Sequence, residues 1–342
     1  MPIESIQQTL HIRRKINHRV FENIDRLWTL GQTAESHQDI LDGLHPWNAP
    51  IGLKFNNTLS LFLGLFGILF IFTLFFYPHG LWPILCITVS SSCIFIAYLS
   101  YESNQPIENT INYLNTITIT KKYQLQHGKV PHHIDFPISS LNFILYIKQL
   151  FPLFNQGNIS NQITKYASTI WEDHDGQQHN VLIFQYNYIN AIQATDTNGD
   201  TINLKRKQYD TWGVLIFDVE IHGLAITATQ NEFAYPYNLS WETSDIQINQ
   251  RLKFYGHDQL LLAKQITPAF TLKVADFFAH RSGDLMFHPN QNVMCYLGSR
   301  NLFKTSSKFQ KIQDVSALRG HLRTFKLPYL DQLKTDFIQF LK

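Results

Sequence analysis

Charge is scarce in this chain. Asp, Glu, Lys and Arg make up 16% of 342 residues, against about 25% in an average soluble domain. The charge present nearly cancels, with 28 Lys and Arg against 26 Asp and Glu for a formal +2 at pH 7. No basic footprint of the kind a nucleic-acid partner demands is left, and none is expected. Cysteine is scarcer still: Cys86, Cys93 and Cys295 are the whole complement, too few for a disulfide-stapled secreted scaffold. Three familiar glycine motifs are missing: Gly-x-x-x-x-Gly-Lys-Ser/Thr, Gly-x-Gly-x-x-Gly and Gly-x-Ser-x-Gly. Without them the chain has no phosphate loop, dinucleotide fingerprint or hydrolase elbow, and no catalytic or cofactor-binding residue is assigned.

One stretch has no charge at all. Between Thr58 and Tyr101 there is no Lys, Arg, Asp or Glu. Two apolar runs, 58–77 and 81–101, are separated by Pro78-His79-Gly80. Each run is about 20 residues, enough for a helix to cross ~30 Å of hydrocarbon, and the break suits a tight turn. The pattern predicts a transmembrane helical hairpin, with the lipid bilayer as the first partner. A pair of core helices in a soluble protein is the competing reading, but such helices seldom run this far without a charge. Neither span carries an ionisable side chain that could relay ions or protons. Thr88, Ser90, Ser91 and Ser92 then serve helix packing. Arg13, Arg14, Lys15, Arg19, Arg26 and Lys54 precede the first span, and the turn holds no Lys or Arg. The positive-inside rule therefore places both termini in the cytoplasm, as in a multi-pass protein of the inner (plasma) membrane.

The hairpin divides the chain into segments 1–57, 58–101 and 102–342. In the first, Ile6, Leu10, Ile16, Val20, Ile24 and Leu27 recur at helical spacing. This amphipathic helix either packs on the rest of the protein or lies on an anionic leaflet. Glu22, Asp25, Glu35 and Asp39 favour packing. Residues 43–50, with Trp47, read as a linker.

The segment 102–342 reads as α+β: an antiparallel sheet with segregated helices. Helices are expected over 105–116, 139–150, 258–265 and 268–280, the last two split at Thr267-Pro268. Strand hairpins are expected at 167–172/180–188 around Asp173-His174-Asp175-Gly176, and at 190–194/201–204 around Thr197-Asn198-Gly199-Asp200. A third pair, 212–219/224–229, a strand over 245–254 and a hairpin 284–288/293–297 follow. The chain ends in a helix with Leu330, Leu333, Phe337, Phe340 and Leu341 on one face. In the strand 180–188, Leu182, Phe184, Tyr186 and Tyr188 form the expected core face, with Val181, Ile183, Gln185 and Asn187 opposite.

Several stretches resemble a known family. They are Ile170-Trp171-Glu172-Asp173-His174-Asp175-Gly176 leading into 181–185, then 212–219, and Trp241-Glu242-Thr243-Ser244-Asp245-Ile246. Leu252-Lys253-Phe254-Tyr255-Gly256-His257-Asp258, Gln265-Ile266-Thr267-Pro268-Ala269-Phe270 and Asn301-Leu302-Phe303 continue the series. Their order, behind a hydrophobic hairpin, resembles the bacterial domain-of-unknown-function family 3137. The resemblance covers about the last two thirds of the chain. It implies a two-span inner-membrane protein with a cytosolic α+β domain, and it carries no catalytic residues over.

Metal chemistry has one candidate, Asp173, His174, Asp175 and His179, within seven residues of one another. A second histidine group is His127, His132 and His133. Neither has a zinc spacing such as His-Glu-x-x-His, so a polar hairpin tip and a loop are the plainer readings. Residues 196–200 resemble half a calcium loop, but Thr201 stands where the loop needs glycine and Lys207 where it needs an acid. Cys295, in strand context, reads as core. His280-Arg281 follows a helix and either complements its C-terminus or holds an anion. Aromatic clusters at 184–188 and 233–241 suit sheet core or, less simply, a partner surface. Together these features point to a membrane-anchored, non-enzymatic binding or scaffold protein presenting a cytosolic domain to a protein partner or ligand. Alternatives are a membrane-proximal enzyme with a His/Asp metal site in the 173–179 hairpin, and an assembly factor acting through the hairpin itself.

Overall fold

The computed structural model describes residues 13–47, 51–76, 79–131, 140–195, 201–229, 233, 236–306 and 312–341. The chain begins with α1 (Lys15–Thr33), α2 (His37–Gly43), α3 (Thr58–Phe72), α4 (Trp82–Ser100) and α5 (Gln105–Lys122). Then come β1 (Gln126–His127), α6 (Ser140–Leu150), β2 (Ser160–Glu172), β3 (Gln178–Thr195), β4 (Thr201–Phe217), β5 (Leu224–Thr227) and β6 (Leu239–Trp241). Last are α7 (Ile246–Arg251), β7 (Lys253–Gly256), α8 (Gln259–Gln265), α9 (Pro268–Phe278), β8 (Asp284–Phe287), β9 (Val293–Gly298), α10 (Val315–Thr324) and α11 (Pro328–Leu341). Two compact units result: Met1–Lys122 with Ser307–Phe325, and Tyr123–Ser306 with Lys326–Lys342. Helices α5 and α10 thus belong with the N-terminal helices, a return of the chain that a linear division at residue 102 does not express.

In the first unit the amphipathic stripe of α1 is buried by packing. Val20, Ile24 and Leu27 join Ile40, Leu53, Phe55, Ile107 and Leu114 in one core, closed by Val315, Leu318 and Leu322 of α10. Ile16 of the same stripe is exposed, and Ile6 and Leu10 lie outside the described residues. Trp28 stacks on Tyr113 with ring centroids 3.8 Å apart and donates to the Thr110 hydroxyl at 2.9 Å, fixing α1 on α5. A reciprocal capping box starts α2: Ser36 Oγ accepts from the Asp39 N–H, and the Asp39 carboxylate accepts from the Ser36 N–H. Asp314 caps α10 by accepting from the Ala317 N–H at 2.7 Å.

Helices α3 and α4 pack on each other along small residues. The Ser60 and Ser100 hydroxyls lie 2.9 Å apart, and Ser90 donates to the Gly67 carbonyl. A Cβ on Gly67 would stand 2.9 Å from Ile94 and 3.1 Å from the Ser90 carbonyl, so this close approach requires glycine. Both helices are long and apolar enough to cross a membrane. Only 11% of the most apolar window of Thr58–Phe75, of mean hydropathy 2.4, is buried, whereas a soluble core helix buries most of its apolar surface. Leu61, Phe62, Phe75, Phe76 and Leu81 point outward instead. The first helix continues as a 3₁₀ turn over Thr73–Phe75, and Pro78 lies outside the described residues.

The second unit is α+β. Its nine strands form one sheet in the order β1-β2-β3-β4-β9-β8-β5-β7-β6, with every neighbouring pair antiparallel. Helices cover both faces of its centre. On one face Leu182, Phe184, Tyr186, Leu215, Cys295 and Met286 meet Phe143, Ile144 and Ile147 of α6. Phe154, just after α6, packs edge-on against Tyr186 at 5.0 Å. On the other face Tyr296 packs against Phe277 of α9 at 5.5 Å, and Phe337 of α11 packs against Phe277 at 4.9 Å. Leu182, Phe184 and Tyr186 are core as expected, but Val181 and Ile183 are equally buried. A strand covered on both sides shows no alternation. Gly213 sits opposite Phe184 in register, and the Phe184 ring occupies the space a Cβ would fill.

Three expected elements are corrected. Residues 190–194 and 201–204 do pair, but as the ends of β3 and β4 rather than as a separate hairpin: the two strands run from Val181↔Ile216 to Thr195↔Thr201 with one register shift between Ile192 and Gln193, and the turn 196–200 lies outside the described residues. The segment 212–219 pairs through β4 with β9, not with 224–229, and β5 pairs with β7 and β8. The strand expected over 245–254 begins as a helix. Asp245 accepts from the N–H groups of Gln247 at 2.8 Å and Ile248 at 3.2 Å, and this cap starts α7 before β7 takes over. Caps also act where they were expected: Thr267 accepts from the Phe270 N–H with Pro268 in the first turn of α9.

Phe184→Ala is expected to destabilise the protein by about 3–5 kcal/mol, because its neighbours on both sides cannot collapse into the void. Ile170→Ala, at a side chain that is 47% exposed, is expected to change it by about 1 kcal/mol or less. Urea unfolding of the two variants in matched detergent checks the contrast, and equal losses would place Phe184 outside the core.

Candidate functional site

Where the chain enters and leaves the apolar hairpin, its polar groups need partners. The side chains supplying them form a collar. Asn57, just before α3, donates through Nδ2 to the Glu102 carbonyl at 2.7 Å and accepts through Oδ1 from the Glu102 N–H at 3.1 Å. One amide side chain thus pairs with both backbone groups of the residue that follows α4 by two positions. Asn17 of α1, fully buried, accepts from the Asn56 N–H at 2.8 Å. The Glu102 carboxylate, 8% exposed, is met by Arg13 at 2.9 Å, a charge-assisted contact of the stronger kind. The Arg13 guanidinium also lies over the Phe21 ring at 3.7 Å, and Arg14 reaches the Asn56 carbonyl oxygen Oδ1 at 3.4 Å.

Two basic residues distant in sequence are therefore at the foot of helices α3 and α4. Arg13 and Arg14 touch Glu102 and Asn56, the residues flanking the apolar stretch. Lys15, Lys54 and Tyr101 are exposed in the same segments. The sequence alone marks Asn56 only as an Asn-x-Thr site and does not single out Asn17, Asn57 or Glu102. The available signal was the Asn56-Asn57 pair immediately before the uncharged stretch and Glu102 immediately after it.

The metal candidates come together only in part. Asp173 and His179 approach to 3.3 Å, while His174 and Asp175 are exposed at the hairpin tip. Asp173 already accepts from the N–H groups of Asp175 and Gln177, each at 2.9 Å, and His179 Nδ1 lies 3.2 Å from the Phe217 carbonyl. Burial acts to raise the Asp173 pKa, but the hydrogen bonds from Gln177, His179 and Asp175 outweigh it and hold the carboxyl below its usual range. The pair thereby closes the turn between β2 and β3. Among the described residues no three His, Cys, Asp or Glu side chains converge on one point. His127 lies on β1 at the sheet edge, and His132 and His133 are outside the described residues.

The other sequence candidates are core. Cys295 is fully buried in the sheet, and burial pushes its thiol well above the usual range, which leaves little nucleophilic thiolate. Phe184, Tyr186 and Tyr237 are buried, the last donating to the Phe287 carbonyl at 2.9 Å. Tyr188 stacks on Tyr209 across the β3–β4 pair at 4.6 Å. No protein-family model, curated protein or solved structure matches the chain.

Asn57→Ala is expected to lose about 1–3 kcal/mol by stranding the Glu102 backbone groups. Thr88→Ala, whose hydroxyl bonds only within its own helix, serves as the near-neutral control, and thermal unfolding followed by helical circular dichroism separates them. The histidines set a pH dependence. Burial lowers the pKa of His37, His127, His288 and His321 below 6.5, aided by Lys122 at His37, where a backbone bond to Leu322 opposes it, and by His222 at His288. The folded state then binds fewer protons than the unfolded chain, so this stability is present above pH 6.5 and lost as pH falls through the lowered values. The urea midpoint is expected to drop from about pH 7 to about pH 5; an unchanged midpoint would show that these rings are solvated.

Proposed function

We propose that this chain is a membrane-anchored, non-enzymatic binding or scaffold protein of the inner (plasma) membrane. In this reading α3 and α4 span the bilayer, both termini are cytoplasmic, and the sheet unit is offered to a protein partner or ligand. The observation that supports it is the pairing of an outward-facing apolar hairpin with a polar collar at its foot. Apolar side chains face outward along both helices, and the polar residues begin where the helices end. The basic residues Arg13, Arg14, Lys15 and Lys54 at that end support the cytoplasmic side. Membership of the domain-of-unknown-function family 3137 is part of the proposal and rests on the sequence motifs. The enzymatic alternative would need His174 and Asp175 to turn inward beside Asp173 and His179.

Cysteine labelling tests the topology. His79→Cys, in the turn, is expected to react with a membrane-impermeant maleimide added outside intact cells, and Lys15→Cys only after lysis. The reverse pattern would overturn the orientation, and release of the protein by alkaline carbonate would overturn the span. Affinity purification from native membranes in mild detergent tests the binding role. A stoichiometric partner supports the scaffold reading, and turnover of a substrate by the purified protein would sink it.

A further inference from the structure

The sheet unit carries a second polar feature, apart from the 173–179 turn. Arg281 follows α9, and its side chain is only 6% exposed. Its guanidinium is held on two sides, by an ion pair from Nη2 to Asp336 of α11 and by stacking over the Phe277 ring at 4.3 Å. Nη1 is buried and, among the described residues, has no hydrogen-bond acceptor. A buried guanidinium donor without an acceptor is rare, because the donor loses water and gains nothing in exchange.

Arg281 lines a small pocket with Arg300, Tyr296, Tyr329 and Gln332, walled by Leu302 and Leu333. Arg300 is exposed after β9, and its guanidinium lies over the Tyr329 ring at 5.4 Å. The Tyr296 hydroxyl donates to the Ser282 carbonyl at 3.0 Å, which fixes the ring as the pocket wall and leaves the hydroxyl oxygen as an acceptor. Asp336 neutralises one guanidinium, so the second cation, Arg300, gives the pocket its positive balance. The cavity itself is ≈ 20 Å³, room for little more than one water, so it admits one oxygen of an anionic group whose remainder lies at the open mouth. Two guanidinium groups at one small opening suit an oxygen anion, since the planar fork matches carboxylate and phosphate oxygens.

We propose that the pocket between Arg281, Arg300 and Tyr329 binds the phosphate or carboxylate group of a small anionic molecule. Arg281 supplies the fixed, buried donor and Arg300 the exposed one at the pocket's mouth. The proposal deepens the binding-module reading and rests on it for its biological sense, but its geometry lies entirely within the sheet unit.

Inorganic phosphate and succinate are the probes, titrated calorimetrically into full-length protein in neutral detergent at low salt. Saturable binding of either is expected, weakened about tenfold or more in Arg300→Gln, where one charge-assisted contact is removed. Arg300 is exposed, so that variant is expected to fold. Arg281→Lys tests the buried donor, and its unfolding midpoint shows whether the fold survives. No saturable binding of either probe up to about 10 mM overturns the proposal, as does binding that Arg300→Gln leaves unchanged. Nanodiscs separate two sources of the anion. Phosphate binding weakened by phosphatidic acid, relative to phosphatidylcholine alone, assigns the pocket to a lipid headgroup, and binding that is indifferent to lipid assigns it to a soluble anion. Failure of both probes beside a retained protein partner would end this proposal and leave the scaffold reading in place.

Discussion

The first unit depends on one constraint: a chain leaving an apolar helix must satisfy its backbone before it can do anything else. Asn57 meets it by pairing with both the N–H and the carbonyl of Glu102, which ties the two ends of the hairpin together. The tie is then extended outward. Asn17 of α1 binds Asn56, and Arg13, two residues before α1, binds the Glu102 carboxylate. The hairpin is thereby fastened to a helix whose opposite end is stacked through Trp28 on α5. Along their length α3 and α4 are held by small-residue packing at Gly67 and by the hydroxyls of Ser60, Ser90 and Ser100.

The sheet unit solves a different problem. A nine-stranded antiparallel sheet with one wet face would show alternating strands, yet β5, β8 and β9 are buried along their whole length. Helix α6 on one face and α9 with α11 on the other account for that. The chain reaches this arrangement by sending its last helix back to the sheet after α10 has joined the first unit. Beyond Ile189 the β3–β4 pair loses β2, and Tyr188 stacked on Tyr209 marks where the covered sheet gives way to a two-stranded ribbon.

The sequence made the hairpin, the α+β class, the Thr267-Pro268 helix start and the β8–β9 pair readable, because each follows from a local signal: hydropathy, capping or turn chemistry. What it hid was non-local. The pairing of β4 with β9 joins residues some eighty positions apart, and no propensity records it. Helix α7 was hidden because Ile246, Ile248 and Leu252 alternate as in a strand, while the Asp245 cap decides for helix. Of the polar candidates, Asp173 and His179 meet because the tight turn makes them neighbours across a strand pair, and His174 and Asp175 face away because they are the turn. The asparagines of the collar were hidden for a further reason: asparagine carries no charge, so a search for ionisable clusters passes over it.

Two arginine–carboxylate contacts among the described residues show how a chain poor in charge distributes what it has. In each, one partner is sequestered and the other reaches water: Glu102 at 8% against Arg13 at 38%, and Arg281 at 6% against Asp336 at 30%. Burying both members would have raised the desolvation penalty without a matching gain. The difference lies in how the sequestered member is completed. Around Glu102 the backbone groups and the carboxylate all have partners in the collar, and the arrangement is closed. Around Arg281 the ion pair and the Phe277 ring fix the guanidinium, yet Nη1 is left without an acceptor among the described residues, beside an open pocket. A fold that saturates one buried charge and leaves the other incomplete has separated anchoring from recognition: the closed pair holds the hairpin, and the open one is where an incoming oxygen would be bound.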